Sequence, residues 1–211
     1  MPHIIHSFPL LAVVAVLAYL LGAVPFGIVM ARIFGLGDLR AIGSGNIGAT
    51  NVLRTGNKLA AFLTLILDAG KGAIAVGLAW ALFRQPGQMP YMVDAAQVAG
   101  FFAFLGHIYP VYLRFRGGKG VATFLGTLLA LSFPLGLACC ATWLVVAVIT
   151  RYSSLAALAA AALSSLWILL LGQGGLLLLM VLFTILIYLR HWQNITRLRA
   201  GTETKIGAKK G

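Results

Sequence analysis

The residues best suited to chemistry gather in four short polar stretches of an otherwise apolar chain. The first, Arg40 to Lys58, reads RAIGSGNIGATNVLRTGNK and carries no acid. Glycine permits turns in which backbone N–H groups point inward, and such concavities bind anions. Ser44, Asn46, Thr50 and Asn51 add hydrogen-bonding side chains, and Arg54 and Lys58 add positive charge. The stretch reads as a phosphate-binding loop at a membrane surface, with Gly45 supplying the turn and the close approach of the anion. Gly43 to Gly48 also satisfies G-x-G-x-x-G, but a dinucleotide site needs a strand before it and an acid about 20 residues later in a βαβ unit. Here the preceding segment is a long apolar run, and Asp68 lies inside another. A flexible linker would account for the glycines but not for the one-signed charge or the asparagines.

The second stretch is Asp68-Ala69-Gly70-Lys71-Gly72, whose charged pair falls on one helical face inside an apolar run. An ionisable pair there is expensive, which makes it a functional candidate, with a structural ion pair as the alternative. The third runs from Gly106-His107-Ile108-Tyr109-Pro110 through Arg114 to Gly117-Gly118-Lys119-Gly120. A lysine between glycines suits a phosphate contact, and Gly118 belongs with it. A topology signal would explain the charge alone. The fourth is His191-Trp192-Gln193-Asn194-Ile195 with Arg197, Arg199 and Gly201-Thr202-Glu203. A basic interfacial tail anchored by Trp192 is its plainer reading.

These stretches must be positioned by membrane helices. The 211 residues are 61% hydrophobic and only 9% charged, where soluble domains average about 25% charged residues. Sixteen Lys and Arg oppose four acids, for a net charge of +12. Such an excess fits cytoplasmic loops and anionic headgroups. Nucleic-acid binding is excluded because the basic residues are scattered through short loops. The adjacent Cys139 and Cys140 lie in an apolar run and read as packing residues. No A-x-A site follows the first apolar run, which is too long for a signal-peptide core and is expected to be retained.

A bilayer core takes about 20 apolar residues per helix. Pro9–Ile33 (with Pro25 as a kink), Leu59–Phe83 and Met92–Leu113 are such runs. Val121–Ile149 is too long for one ordinary helix and is interrupted at Ser132-Phe133-Pro134; Leu155–Leu171 and Leu176–Leu189 follow. Arg32, Arg40, Arg54 and Lys58 fall in the first loop, Arg114, Arg116 and Lys119 in the third, Arg151 in a later one, and six more basic residues in the tail. Placing all of them in the cytoplasm requires the run between Lys119 and Arg151 to cross twice, with Pro134 at an outer turn. The expected fold is a single all-α domain over residues 1–211: a polytopic membrane helix bundle of seven transmembrane helices, N-terminus outside and C-terminus cytoplasmic.

Taken together, GSGNIGATN with Arg54, LDAGKG, GHIYP followed by FRGGKGVAT, and HWQNITRLRAGTE resemble the bacterial membrane glycerol-3-phosphate acyltransferases that use acyl phosphate as donor. The resemblance covers nearly the whole chain. It implies seven spans in the bacterial inner membrane, an active site facing the cytoplasm, and no metal or other cofactor. The implied partners are acyl phosphate, glycerol 3-phosphate and membrane lipid, without nucleic acid or an obligate protein partner. Carried over by motif, phosphate binding belongs to Ser44, Asn46, Thr50, Asn51 and Arg54, completed by Lys119, His191 and Asn194, with Ser153 or Ser154 contributing. Trp192 and Gln193 depart from the polar pair expected after His191. None of the four histidines precedes an aspartate by five positions, so the dyad of the soluble-type acyltransferases is missing, and no Ser-His-Asp triad is evident. An acyl phosphate carries a good leaving group, so a covalent nucleophile is unnecessary. With few bases near the four stretches, His191 is expected to position glycerol 3-phosphate while a substrate phosphate takes or shares the proton. The rival readings are a transporter of an anionic solute and a membrane phosphatase.

Overall fold

The computed structural model describes residues 2–83 and 89–207. Most of the polar turn expected at Arg84–Pro90, with Lys209 and Lys210 of the tail, lies outside the described residues. Among the described residues every element is helical. In chain order these are α1 (Pro2–Ala23), α2 (Phe26–Ile33), α3 (Ala49–Leu53), α4 (Lys58–Leu82), α5 (Met89–Ile108), α6 (Val121–Leu131), α7 (Phe133–Thr150), α8 (Ser153–Leu170), α9 (Leu177–Arg190) and α10 (Trp192–Arg199), joined in places by short 3-10 turns.

Two interruptions shape the bundle. Pro25 has no N–H to give and separates α1 from α2 outright; at the break the Val24 carbonyl accepts from both Phe26 N–H and Lys71 Nζ, each at 3.1 Å. The interruption expected at Ser132-Phe133-Pro134 falls at Ser132, whose hydroxyl accepts from Leu135 N–H; Pro134 sits in the first turn of α7, where a missing N–H costs nothing. α7 then packs back against the end of α6, which Gly136 permits, since a side chain there would strike the backbone of Leu128 and Leu129.

Pro9–Ile33 taken across its break, α4, Val93–Leu113, α7 and α8 are five segments long and apolar enough to cross a membrane. A sixth is the bent pair Gly174–Arg190 and Trp192–Arg199, which turns by 62° at His191. α6 has only 11 residues, about 16 Å of helix, roughly half a bilayer core.

Small residues bring the helices together where hydrocarbon on both sides offers no hydrophobic drive. A Cβ on Gly22 would meet the Ala103 backbone, and one on Gly106 the Tyr19 backbone, so α1 and α5 touch main chain to main chain. Gly126 packs in the same way against Ala69, joining α6 to α4. Between α5, α6 and α9, Phe183 meets Phe104 and Phe124 edge-on, with centroids 4.8 and 5.5 Å away. Leu, Val and Ile side chains on the outer faces, such as Leu78, Val148 and Leu178, are exposed, as a lipid-facing surface requires.

Candidate active site

One cavity of about 370 Å³ opens where the first loop, the loop before α6 and the α9–α10 corner meet. Ser44, Asn46, Thr50, Asn51 and Arg54 line it from the first loop, Lys119 from the second, and His191, Asn194 and Glu203 from the tail. Its remaining walls are largely apolar, with Leu65 of α4, Leu125 and Leu129 of α6, Cys140 and Trp143 of α7 and Ala157 of α8. Cys139 is instead buried in the core.

The first loop spends more of its polar groups on itself than its composition suggests. Gly45 takes a left-handed φ of 67° and donates its N–H to Ile42 O at 2.9 Å; Ser44 N–H donates to Asn51 Oδ1 at 3.2 Å. Both N–H groups are engaged within the loop, where Gly45 makes a turn, and Gly45 is not among the residues that line the cavity. Asn51 is buried and works as a brace: its amide donates to Leu39 O at 2.8 Å and its oxygen also accepts from Arg54 Nη1 at 3.2 Å. Arg54 reaches further, donating from Nη2 to Thr204 O at 3.4 Å, while its buried Nε has no partner among the described residues. An unpaired guanidinium N–H beside a cavity is a donor waiting for an anion. Thr50 and Ser153 hydroxyls meet at 3.1 Å, which attaches α8 to this loop.

Lys119 projects from the Gly117–Gly120 loop, and its Nζ donates to Asn194 Oδ1 at 2.5 Å. Asn194 Nδ2 in turn donates to Glu203 Oε1 at 2.6 Å, and that oxygen also accepts from Ser154 Oγ at 2.8 Å. Glu203 Oε2 accepts from Arg197 Nε at 2.6 Å. Gly118, expected to touch phosphate, does not line the cavity but is wedged against the His107 ring. Its loop is held from the other side by Arg190, whose Nε and Nη2 donate to Gly118 O and Gly117 O at 3.2 and 3.0 Å. His191 sits at the α9–α10 bend and donates from Nδ1 to Ile187 O at 2.8 Å, which leaves Nε2 as the acceptor of the neutral ring.

Burial sets the electrostatics of these groups. Burial, helped by Arg197, Arg54 and Arg190 and opposed by Glu203, pushes the Lys119 ammonium down to about 8. Burial and the nearby Lys119 charge push His191 down to about 4, so the ring is neutral at pH 7 and weak as a base, well away from the ordinary value of about 6.5. Burial also lowers Arg54, though guanidinium remains charged. For Glu203 burial alone would raise the carboxyl; hydrogen bonds from Asn194, Ser154 and Arg197 outweigh it and hold the group below the usual range. At neutral pH this end of the cavity therefore carries Lys119, Arg54 and Arg197 against one carboxylate.

Sequence reasoning missed several members of this arrangement. Glu203, placed by sequence in the tail stretch without a site role, is the acceptor that orients Asn194. Arg190 was counted only as tail charge, yet it braces the lysine loop. Arg151, taken as a topology signal, pairs with the tail: its Nη2 donates to Ile206 O at 3.2 Å and its own carbonyl accepts from Ile206 N–H at 2.7 Å. Trp143 and Cys140 carried no signal, because their place on the cavity depends on α7 folding back at Ser132.

Known proteins resemble this chain over most of its length. The family model described as glycerol-3-phosphate acyltransferase matches residues 12–201. A protein of Jannaschia sp. (strain CCS1) named glycerol-3-phosphate acyltransferase is 63% identical over 206 residues, covering 98% of each chain. One of the same name from a strain of Cereibacter sphaeroides is 59% identical over 209 residues, covering 99% of this chain and 96% of that one. Among solved structures, the glycerol 3-phosphate form of PlsY (YgiH), an integral membrane glycerol 3-phosphate acyltransferase, superposes with a TM-score of 0.84 at 38% identity, covering 93% of this chain and 96% of that one. The lysophosphatidic acid form of PlsY gives 0.81 at 35% identity, covering 93% and 95%. The chain therefore belongs to the glycerol-3-phosphate acyltransferase family.

Proposed function

We propose that this protein transfers an acyl chain from acyl phosphate to glycerol 3-phosphate, yielding 1-acylglycerol 3-phosphate and inorganic phosphate. The observation that carries the reading is the division of one cavity into a cationic end, with Arg54 and Lys119, and an apolar channel past Leu125 and Leu129. Both substrates bear phosphate, and the donor also bears a chain. Relatives named glycerol-3-phosphate acyltransferase, and a structural neighbour in its glycerol 3-phosphate form, support the acceptor.

In the reaction the glycerol hydroxyl oxygen attacks the acyl carbon, the new C–O ester bond forms, and the bond from the acyl carbon to the phosphate oxygen breaks. Arg54, with its unpaired Nε, and Lys119 hold the phosphates and stabilise the charge that grows on the leaving group. His191 Nε2 accepts a hydrogen bond from the hydroxyl and aims it, and Asn194 keeps Lys119 in place. A group depressed to about 4 is a poor proton acceptor, so the proton passes to an oxygen of the departing phosphate, which is the stronger base. No metal enters this scheme. The protein crosses the bacterial inner membrane seven times, α6 and α7 providing a short and a long crossing, with the N-terminus outside and the cavity facing the cytoplasm.

Purified protein given palmitoyl phosphate and glycerol 3-phosphate is expected to release lysophosphatidic acid and phosphate in equal amounts, followed by chromatography and a phosphate assay. Phosphate release at the same rate without glycerol 3-phosphate would identify a phosphatase instead. Uptake of glycerol 3-phosphate into vesicles without product would identify a transporter.

A further inference from the structure

Acyl transfer as outlined makes no use of the buried cluster Asp68, Lys71 and His107, which are 2%, 1% and 5% exposed. Lys71 Nζ donates to Asp68 Oδ1 at 2.9 Å and to Val24 O at 3.1 Å, and it lies 5.8 Å from the centre of the Phe26 ring. The carbonyl exposed by the α1–α2 break thus holds the lysine, and the lysine neutralises the aspartate. The same Oδ1 faces His107 Nδ1 at 3.6 Å, and Thr123 Oγ1 donates to the Asp68 carbonyl at 2.8 Å. Asp68 and His107 both reach the wall of the cavity.

The other edge of His107 meets the lysine loop. A Cβ on Gly118 would collide with the His107 ring, and one on Gly117 would collide with the His107 carbonyl. That carbonyl accepts from Gly118 N–H at 3.1 Å. The loop is clamped between His107 on one side and Arg190 on the other, one residue ahead of Lys119. An imidazole turns readily about its terminal torsion unless a partner fixes it, and Asp68 is placed to do so.

We propose that His107, held by Asp68 and Lys71, is a positioning residue for Lys119: it sets the Gly117–Gly120 loop so that Nζ meets Asn194 and the bound phosphate. This rests on Lys119 serving phosphate in the acyl transfer described above. The cluster acts through the loop and does not touch the reacting atoms.

The test is a double-mutant cycle in the full-length purified protein, combining His107→Asn or His107→Phe with Lys119→Ala. Turnover is read with palmitoyl phosphate, and glycerol 3-phosphate affinity is read by calorimetry in the same proteins. The calorimetric cycle needs no donor, so an incorrect donor assignment would show in the wild-type turnover and leave the positioning question answered. His107→Phe keeps the ring volume but loses the polar edge, and is expected to lose about 10- to 100-fold in kcat/KM, with His107→Asn losing less. In the Lys119→Ala background neither substitution should cost anything more. Losses that multiply in the double variants would overturn the proposal, as would a His107→Phe protein with normal turnover and affinity, since ring volume would then suffice. Asp68→Asn alone leaves the Lys71 charge unpaired and endangers folding; Asp68→Asn with Lys71→Met removes both charges and is expected to reproduce the His107→Asn loss.

Discussion

Lys119 Nζ and Asn194 Oδ1 lie 2.5 Å apart although 75 residues separate them in sequence. The amide is read in both directions: its oxygen faces the ammonium and its nitrogen faces the Glu203 carboxylate at 2.6 Å. This fixes which way Asn194 points and keeps the lysine from collapsing directly onto the glutamate. The cation is thereby held in place while remaining available to an anion from the cavity.

That placement has a consequence for pH. Lys119, pushed to about 8 mainly by burial, is charged below that value and loses its proton above it. If the charge holds phosphate, kcat/KM, which reports the free enzyme, should fall as pH rises through about 8. Bound phosphate favours the charged form, so the corresponding limb of kcat should lie higher. Lys119→Arg should lower activity, because a planar fork replaces a point charge, yet should abolish the alkaline limb up to pH 10. An unchanged limb in Lys119→Arg would assign it to another group.

The turn at Gly45 yields a second prediction. Because its N–H is committed to Ile42 O, the position needs a left-handed backbone rather than an open approach to an anion. A Cβ there would lie 3.2 Å from Arg40 O, tight but not closed. Asparagine tolerates this conformation and valine does not. Gly45→Asn should keep kcat/KM within about threefold, while Gly45→Val should lose on the order of 10-fold and melt at a lower temperature. Equal loss in both, with unchanged melting, would return the glycine to the anion contact.

A third prediction concerns orientation in the membrane. In intact cells a membrane-impermeant thiol reagent should label a cysteine placed at Gln88, which lies outside the described residues, and should not label one placed at Thr55. The proposed orientation rests on the side of the membrane to which the basic loops belong. Labelling at position 55 from outside would invert it.

What the sequence made legible follows distance along the chain. Arg54 and Lys119 stand out because charge and glycine sit unusually beside long apolar runs, whereas His191 and Asn194 were singled out by the resemblance of the tail motif. The α1–α2 break was legible in Pro25 for the same local reason. Glu203 was not, because its value depends on the chain turning after α10 to bring it back beneath Asn194. Nor was the pairing of Asp68 with His107, since α4 and α5 had first to pack side by side. Asn51 shows what the motif alone could not: its oxygen is taken up by Ser44 and Arg54 and one amide hydrogen by Leu39, while the residue still lines the cavity. Composition shows which groups are present, whereas packing decides which remain free.

The central claim is that this cavity, through Arg54 and Lys119, is where acyl transfer to glycerol 3-phosphate occurs. The most direct measurement is kcat/KM for that reaction in Arg54→Ala, Lys119→Ala and Arg116→Ala, each checked for intact folding by thermal melting. Arg116 supplies a control whose side chain is exposed and does not line the cavity, unlike Arg151, which is tied to the tail. Arg54→Ala and Lys119→Ala should each lose on the order of 10²-fold or more, about 2.7 kcal/mol of transition-state stabilisation, with Arg116→Ala near wild type. Folded Arg54→Ala and Lys119→Ala proteins with wild-type turnover would contradict the assignment of the site.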